Sequence, residues 1–308
     1  MRIINMMGTQ MAETIAAIAP EAEVVSITAD ETIEPNSSAQ VLCAAWPGHS
    51  IYEQLDAMGV LWMHLPGTGI DAWDPGLLRG RIVTCSRGVS AIPISEFVMG
   101  SILAVEKNFP SSWLTEPPEH WNLASLGELA GQTLGIVGMG GIGTAVAKRA
   151  LAFDLRVRVL RRQPAKFLLP GVEIAHDLSD LLASADHLVL AAPSTSSTRH
   201  LLNSESLALA KPGIHIVNIA RGELIDQEAL RDALDNGRVR YASLDTVYPE
   251  PLPVDHWLYS HPRVHLSAHV SWSSPRAFER IRQAFAVNLV HFMAGEPLEG
   301  VVEVDEGY

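Results

Sequence analysis

Short apolar runs alternate with longer amphipathic stretches along the first third of the chain. Five of these runs have the length of a β-strand: MRIINMM, EVVSI, VLCAAW, VLWMHL and RIVTC. Strand-sized apolar runs that alternate with helical segments are typical of a parallel sheet covered on both faces. The apolar residues between 96 and 106 are spaced as in a buried helix. The pattern predicts an open α/β unit over residues 1–98.

A second alternating series follows a stretch rich in proline and tryptophan at 109–130. A helix is predicted over 144–153, and the closing stretch 275–293 has the apolar spacing of an amphipathic helix. The fold class is therefore α/β, with two open parallel-sheet domains. The predicted strands of the second series are TLGIVG, RVRVL, HLVLAAP, IHIVNIA, YASLD and VHLSAHV.

Composition narrows the functional classes. A chain of 308 residues exceeds the usual size of a single core. Its net charge of −13 argues against nucleic acid or an anionic membrane as partner, because both bind basic surfaces. The only cysteines, Cys43 and Cys85, indicate neither a disulfide framework nor a zinc site, so no metal is expected. Without a signal peptide or a membrane-length apolar run, we expect a soluble cytoplasmic protein.

The segment GIVGMGGIGTAVAKRA carries glycines in the spacing G-x-G-x-x-G, between a predicted strand and a predicted helix. In a Rossmann domain, such glycines permit a tight turn, a close approach to a pyrophosphate and close packing of helix on strand. The helix N-terminus then offers N–H groups to the phosphates. The alternative is a glycine-rich turn without a ligand. The predicted cofactor residues on this turn are Gly138, Gly140, Gly141, Ile142 and Gly143.

Two arginines, Arg161 and Arg162, end the strand in RVRVLRRQP, 18 and 19 residues after Gly143. An acidic residue at this point would accept hydrogen bonds from the ribose of NAD. Guanidinium groups instead bind a 2′-phosphate. The pair predicts NADP as cofactor, with NADPH preferred over NADH; the alternative is a solvated basic strand end.

Three further stretches fall at predicted strand ends, where open α/β sheets bind ligands: NIARGELID, SLDTVYPEP and LSAHVSW. They supply Arg221, Asp245, Glu250 and His269. Carbonyl reduction by hydride transfer needs a proton donor and a cation near the carbonyl. His269, Arg221 and Glu250 match this list if Glu250 accepts a hydrogen bond from the imidazole. Each residue alone could equally be an ordinary surface or loop side chain.

Taken in order, GMGGIG, APSTSSTRHLLN, KPGIHIVNIARGELID, SLDTVYPEP and AHVSW resemble the D-isomer-specific 2-hydroxyacid dehydrogenases. The resemblance covers the whole chain and is closest to the glyoxylate/hydroxypyruvate reductase branch. It implies that Arg221 holds a 2-oxo acid, that Glu250 pairs with the catalytic His269, and that Asp245 faces the nicotinamide. It also extends the cofactor site to Pro193, Thr198 and Ala220.

The resemblance further implies a flavodoxin-like substrate domain, 1–98 plus 268–308, into which a dinucleotide-binding domain, 99–267, is inserted. In PGTGIDAWD, the N–H groups of Thr68 and Gly69 are expected to hold the substrate carboxylate. Trp46 is expected in the pocket wall, with a place in the core as the alternative. The stretch 109–130, with its tryptophans, resembles the arm through which family dimers embrace, so we expect a homodimer.

The resulting hypothesis is an NADPH-dependent reductase of a small 2-oxo acid, with glyoxylate or hydroxypyruvate as candidate substrates. The chain departs from the family at Trp272, where many members have small residues. Two alternatives remain open at this point. One is a non-enzymatic, dinucleotide-sensing regulator of the same fold, and the other is an oxidative dehydrogenase of formate or phosphite.

Overall fold

The computed structural model describes residues 1–28, 31, 37–122, 124–162 and 169–306. The chain divides into two compact units, Met1–Val89 with Ser274–Tyr308, and Ser90–Ser273. In chain order the strands and helices are β1 (Arg2–Asn5), α1 (Thr9–Ile18), β2 (Glu23–Ser26), β3 (Val41–Cys43), α2 (Leu55–Met58), β4 (Trp62–Leu65), α3 (Pro75–Leu78), β5 (Ile82–Cys85), α4 (Ala91–Glu106), β6 (Thr133–Val137), α5 (Gly141–Leu151), β7 (Arg156–Leu160), β8 (Val172–Ile174), α6 (Leu178–Ser184), β9 (His187–Leu190), α7 (Ser204–Ala208), β10 (Ile214–Asn218), α8 (Gln227–Asp235), β11 (Val239–Leu244), β12 (Val264–Leu266) and α9 (Ala277–Ala294).

The first unit contains a parallel sheet with the strand order β2-β1-β3-β4-β5. This is the order of flavodoxin-like folds. The apolar face of α9 packs on the sheet through Phe285 and Leu289, which are fully buried. The ring of Trp62 on β4 stacks on Phe285 with centroids 5.1 Å apart. The C-terminal helix thereby closes the core that the first 89 residues begin.

The second unit contains a parallel sheet with the strand order β12-β11-β10-β9-β6-β7-β8. The chain enters this sheet at β6, builds β7 and β8 on one side, and then crosses to β9 on the other side. That order is the doubly wound arrangement of dinucleotide-binding domains. Strands β6, β9 and β10 are buried along their whole length, because helices cover both faces. The predicted α/β class with two open parallel-sheet units is confirmed.

Helix α4 begins at Ala91, earlier than the predicted segment 96–106. Its apolar residues Ile94, Val98 and Ile102 belong to one core cluster with the glycine-turn helix α5. The whole helix therefore joins the second unit, and the units divide after residues 89 and 273 rather than after 98 and 267. Helix α5 likewise begins at Gly141 instead of Thr144. The edge strand β8 was not predicted, because it has only three residues and two of them are exposed.

The stretch 109–130, described except for residue 123, is tied together at its base. The Gly127 N–H donates to the Glu106 carbonyl oxygen at 2.8 Å, and Lys107 Nζ donates to the Gly127 carbonyl oxygen at 2.6 Å. The chain thus leaves the end of α4 and returns to it. Between these points Trp113 and Trp121 are 65% and 72% exposed. Such large apolar side chains at the surface are typical of a contact region.

Candidate active site

The glycine-rich turn lies where the strand order of the second unit reverses. Strand β6 pairs with β7 on one side and with β9 on the other. Ligands of open α/β sheets bind outside the carboxyl ends of the strands at such a point. The turn runs from Gly138, directly after β6, into the first residues of α5. All five predicted cofactor residues of the G-x-G-x-x-G segment are on this turn.

Each of the three spaced glycines is needed at its position for a different physical reason. Gly138 has φ +99°, and a Cβ there would lie 2.6 Å from the Ala191 carbonyl oxygen. A Cβ on Gly143 would lie 2.1 Å from the Gly138 carbonyl oxygen. At Gly140, by contrast, no described atom lies within 4 Å of an added Cβ. This open space lies at the start of α5, where the first N–H groups of the helix have no intrahelical acceptors. The turn can therefore accommodate the pyrophosphate of a dinucleotide.

The arginine pair lies beside the same turn. The Gly138 N–H donates to the carbonyl oxygen of Leu160, the last residue of β7, at 2.9 Å. Arg161 and Arg162 follow at once; the first is partly buried and the second exposed. Residues 163–168 lie outside the described residues. The end of β7 is where doubly wound folds contact the adenosine ribose of a dinucleotide.

The segment after β9 borders the glycine turn through Ala191. Thr198 Oγ1 donates to the Pro193 carbonyl oxygen at 2.7 Å and accepts from the Thr195 N–H at 2.8 Å. These bonds stabilise the loop on which the predicted cofactor residues Pro193 and Thr198 lie.

Arg221 follows β10 in a loop organised by Asn218, a fully buried residue at the end of that strand. Asn218 Nδ2 donates to the Arg221 carbonyl oxygen at 2.9 Å, and Asn218 Oδ1 accepts from the Ala220 N–H at 3.1 Å. The Arg221 guanidinium donates to the Ala220 carbonyl oxygen at 2.7 Å. The predicted residues Ala220 and Arg221 are thus held at one strand end. Asn218 was not predicted, although a buried amide closing an apolar strand was a readable signal.

Gly222 brings the Arg221 loop against the segment after β11. An added Cβ at Gly222 would lie 2.0 Å from the Val247 carbonyl carbon and 2.4 Å from the Tyr248 nitrogen. This position therefore admits only glycine without a backbone shift. The loop that carries Arg221 packs directly on the segment that leads to Glu250.

His269 and Glu250 form a hydrogen-bonded pair. His269 Nδ1 lies 2.8 Å from Glu250 Oε2, and the Val247 N–H donates to Glu250 Oε1 at 3.0 Å. Burial raises the pKa of Glu250, but the bonds from His269 and Val247 and the charges of His269 and Arg221 outweigh it. The net result is a pKa below the ordinary value. Glu250 therefore stays ionised near neutral pH, and its carboxylate accepts a hydrogen bond from His269 Nδ1.

Asp245 is buried, 1% exposed, and its carboxylate serves the segment that carries His269. Asp245 Oδ1 accepts from Ser267 Oγ at 2.5 Å and from the Val270 N–H at 2.9 Å. Asp245 Oδ2 accepts from the Ser271 N–H at 2.9 Å. The structure gives this side chain a framework role that the sequence did not predict; its predicted contact with the nicotinamide stays a prediction.

In the first unit, the loop after β4 carries Thr68 and Gly69, both partly buried. Trp46 is 62% exposed, so its alternative place in the core is wrong. A Cβ added to Gly67 would lie 4.0 Å from the Trp46 ring and 3.8 Å from the Gly69 carbonyl oxygen. Trp46 and the predicted carboxylate loop are therefore neighbours.

A buried hydrogen-bond chain underlies that loop. The Ser86 N–H donates to the Leu65 and Gly67 carbonyl oxygens at 3.1 and 2.9 Å. His64 lies between Thr84 Oγ1, 2.8 Å from Nδ1, and Ser86 Oγ, 3.0 Å from Nε2. Burial lowers the pKa of His64 to about 4. The Trp62 indole N–H donates to Thr84 Oγ1 at 2.8 Å, so the Thr84 hydroxyl hydrogen is satisfied by an unprotonated His64 Nδ1.

The second unit has the strand order and the glycine turn of a dinucleotide-binding domain. Its strand ends also carry a histidine–carboxylate pair and an arginine, which are side chains that a hydride-transfer oxidoreductase uses. A family model, the NAD-binding domain of D-isomer-specific 2-hydroxyacid dehydrogenases, matches residues 99–271. The chain belongs to the D-isomer-specific 2-hydroxyacid dehydrogenase family, as the motifs predicted.

Individual relatives agree on the family and differ in their names. A D-3-phosphoglycerate dehydrogenase of Methanocaldococcus jannaschii is 32% identical over 92% of this chain and 56% of its own length. A glyoxylate reductase of Thermofilum pendens is 35% identical over 71% of this chain and 67% of its own. The chain thus spans about half to two thirds of the length of these relatives.

A solved structure matches nearly the full length of both chains. It is a D-isomer-specific 2-hydroxyacid dehydrogenase of Xanthobacter autotrophicus in complex with NADPH and MES. Its identity is 25% and its TM-score 0.86, over 100% of this chain and 99% of the other. Separately, no helix in the described ranges is both long and apolar enough to cross a membrane.

Proposed function

We propose that this protein reduces a small 2-oxo acid to the 2-hydroxy acid with NADPH, and that glyoxylate and hydroxypyruvate are its candidate substrates. The observation that carries the proposal is the His269–Glu250 pair, 2.8 Å between Nδ1 and Oε2, on a segment against which the Arg221 loop packs. An acid and a cation held together are what carbonyl reduction requires.

Each side chain then has a separate task. The chemistry that a bound NADPH supplies is a hydride for the carbonyl carbon. Because His269 Nδ1 faces Glu250, Nε2 is the nitrogen that delivers a proton to the carbonyl oxygen. Arg221 binds the substrate carboxylate and polarises the carbonyl group. The N–H groups of Thr68 and Gly69 bind the carboxylate, and Trp46 contributes an apolar wall.

In this proposal the second unit is the dinucleotide-binding domain and the first unit is the substrate domain. The glycine turn and the start of α5 would bind the pyrophosphate, with Pro193, Thr198, Ala220 and Asp245 as further contacts. Arg161 and Arg162 would bind the 2′-phosphate, which favours NADPH. Support comes from the position of the pair beside Gly138 and from the NADPH bound by the Xanthobacter relative.

The central test is a panel of 2-oxo acids assayed in parallel with NADPH and NADH. It should include glyoxylate, hydroxypyruvate and the oxo acid that corresponds to 3-phosphoglycerate. His269→Ala and Arg221→Ala should each lower kcat/KM with glyoxylate by about a hundredfold or more. His265→Ala, four residues before His269, is the matched control and should retain activity. Near-normal turnover in both site variants would contradict the assigned roles.

The cofactor preference has its own test. Arg161→Asp combined with Arg162→Ala should raise KM for NADPH far more than KM for NADH, because a carboxylate repels the 2′-phosphate. Arg156→Ala removes an exposed arginine from the opposite end of β7 and serves as control. An equal effect on both cofactors would identify the pair as a solvated strand end.

The same panel decides between the remaining candidates. Oxidation of formate or phosphite with NAD, without reduction of any oxo acid, would favour an oxidative dehydrogenase. Binding of NADPH without turnover of any substrate would favour a dinucleotide-sensing regulator. A strong preference for the phosphorylated oxo acid would place the activity with the phosphoglycerate dehydrogenases.

We also infer a homodimer formed through the stretch 109–130, whose exposed Trp113 and Trp121 would be covered by the second copy. Sedimentation velocity should give twice the chain mass for the wild type. Replacing both tryptophans with serine should shift the protein towards the monomer. A monomeric wild type would contradict the inference.

A further inference from the structure

The backbone of His269 has an unusual conformation. Its φ is +52°, in the left-handed region that residues with a Cβ rarely adopt. Such a conformation persists at a functional site only where the surrounding structure holds it. The contacts that hold it therefore also determine where the imidazole stands.

Four backbone polar groups of this turn have hydrogen-bond partners in the second unit. The His269 N–H donates to the Asp245 carbonyl oxygen at 2.8 Å. The two following N–H groups, of Val270 and Ser271, donate to the Asp245 carboxylate. The remaining group, the His269 carbonyl oxygen, accepts from the Trp272 indole Nε1–H at 3.0 Å. Trp272 is the one side chain among these contacts that bonds the backbone of His269 itself.

The side chain of Trp272 is fixed by packing and can therefore hold the backbone of His269 in place. Its ring packs against the core cluster that contains Ile94, Val98 and Val217, so the indole is anchored in the second unit. A side chain fixed by packing transmits its position to its hydrogen-bond partner, which a mobile surface group does not do. Its donor lies three residues from the His269 carbonyl along the same turn.

We propose that Trp272 is a positioning residue of the reaction: its indole N–H fixes the His269 carbonyl, and with it the left-handed turn that directs the imidazole to Glu250. The inference rests on the proposed role of His269 as proton donor. It assigns to this chain's tryptophan a function that small residues at the same place could not perform.

The test compares Trp272→Phe with Trp257→Phe. The first variant keeps an aromatic ring for packing and removes the N–H donor. The second removes a tryptophan of the same unit whose Nε1 has no hydrogen-bond partner among the described residues. We expect Trp272→Phe to lower kcat by about tenfold or more, since small misplacements of a reacting group are costly. KM for the oxo acid and Kd for NADPH should change less than about twofold, because the binding groups stay in place.

A spectroscopic measurement on the same variants needs no substrate. In protein labelled with 13C-histidine, the His269 ring signal is identified by its loss in His269→Ala. Trp272→Phe should move this signal and leave those of His64 and His215 in place, whereas Trp257→Phe should leave it unchanged. If no oxo acid is turned over by the wild type, the proposed function fails and this spectrum still tests the positioning role. An unmoved His269 signal, an unchanged kcat, or equal losses in the two variants would overturn the proposal.

Discussion

His64 couples the stability of the first unit to pH. Its imidazole is 1% exposed, and burial lowers its pKa to about 4 from an ordinary 6.5. Because the folded-state pKa is depressed, the unfolded chain binds the proton first as the pH falls. The stabilisation by neutral His64 is therefore complete above about pH 6.5 and is lost as the pH falls towards about 4.

The structure gives the size of this effect. Lowering the pKa of His64 from 6.5 to about 4 corresponds to roughly 3 kcal/mol of folding free energy at full titration, because a pKa change of one corresponds to about 1.36 kcal/mol. At pH 5 the unfolded histidine is almost fully protonated and the folded one is almost neutral, so about 2 kcal/mol is lost. The bond to Thr84 adds a reason, because protonated Nδ1 would leave the hydroxyl hydrogen of Thr84 without its acceptor.

Hydrogen exchange in increasing urea measures this loss locally. Peptides that cover β4 and β5 report the opening free energy of the first unit at pH 7.5 and at pH 5.0, after correction for the intrinsic exchange rate. The drop between the two pH values should be about 2 kcal/mol smaller in His64→Gln than in the wild type. His120→Gln, at an exposed site, should show the wild-type drop. An equal drop in His64→Gln and wild type would refute the reasoning.

Further predictions concern the glycines and the buried amide of the second unit. Gly140→Ala should weaken NADPH binding in a fluorescence titration and leave Tm nearly unchanged, because its Cβ would meet open space; Gly143→Ala should lower both, since its Cβ would lie 2.1 Å from a carbonyl oxygen. A Tm loss in Gly140→Ala as large as in Gly143→Ala would contradict this distinction. Gly222→Ala should lower kcat/KM in steady-state assays by tenfold or more. The added Cβ would lie 2.0 Å from the Val247 carbonyl carbon, so the Arg221 loop must shift by about an ångström to relieve the clash. Asn218→Ala removes bonds to three backbone groups and should cost about 1–3 kcal/mol in urea unfolding; a cost below about 0.5 kcal/mol would show that water replaces the amide.

The strands were predictable because central parallel strands are apolar on both faces, and runs such as VLWMHL and IHIVNIA have no competing pattern. Helix boundaries were less accurate. Helix α4 starts at Ala91 although Pro93 stands in its first turn, where a missing N–H costs nothing. The edge strand β8 had no such signal, because it has only three residues and two of them are exposed.

The candidate site was readable as far as residue types and strand ends specify it. Arg221, Glu250 and His269 could be named from the motifs, and the strand order then brings their segments to one edge of the sheet. Their supports could not be named, because they depend on backbone conformation. The left-handed φ of His269 and the turn of Val270 and Ser271 towards Asp245 have no local sequence signal. Histidine is enriched at positive φ, but most histidines do not adopt it, so the residue type alone does not predict this turn.

At Gly222 the loop that carries Arg221 contacts the segment that carries Glu250. The backbone of this glycine packs so closely on the Val247–Tyr248 peptide that the loop of Arg221 leaves no space for a Cβ against the segment of Glu250. Any substitution that re-aims the arginine towards a bulkier substrate must therefore also disturb the partner of the histidine. Laboratory evolution of substrate range through this loop should consequently proceed by paired changes at 222 and 247–248, and single changes there should appear as losses of turnover.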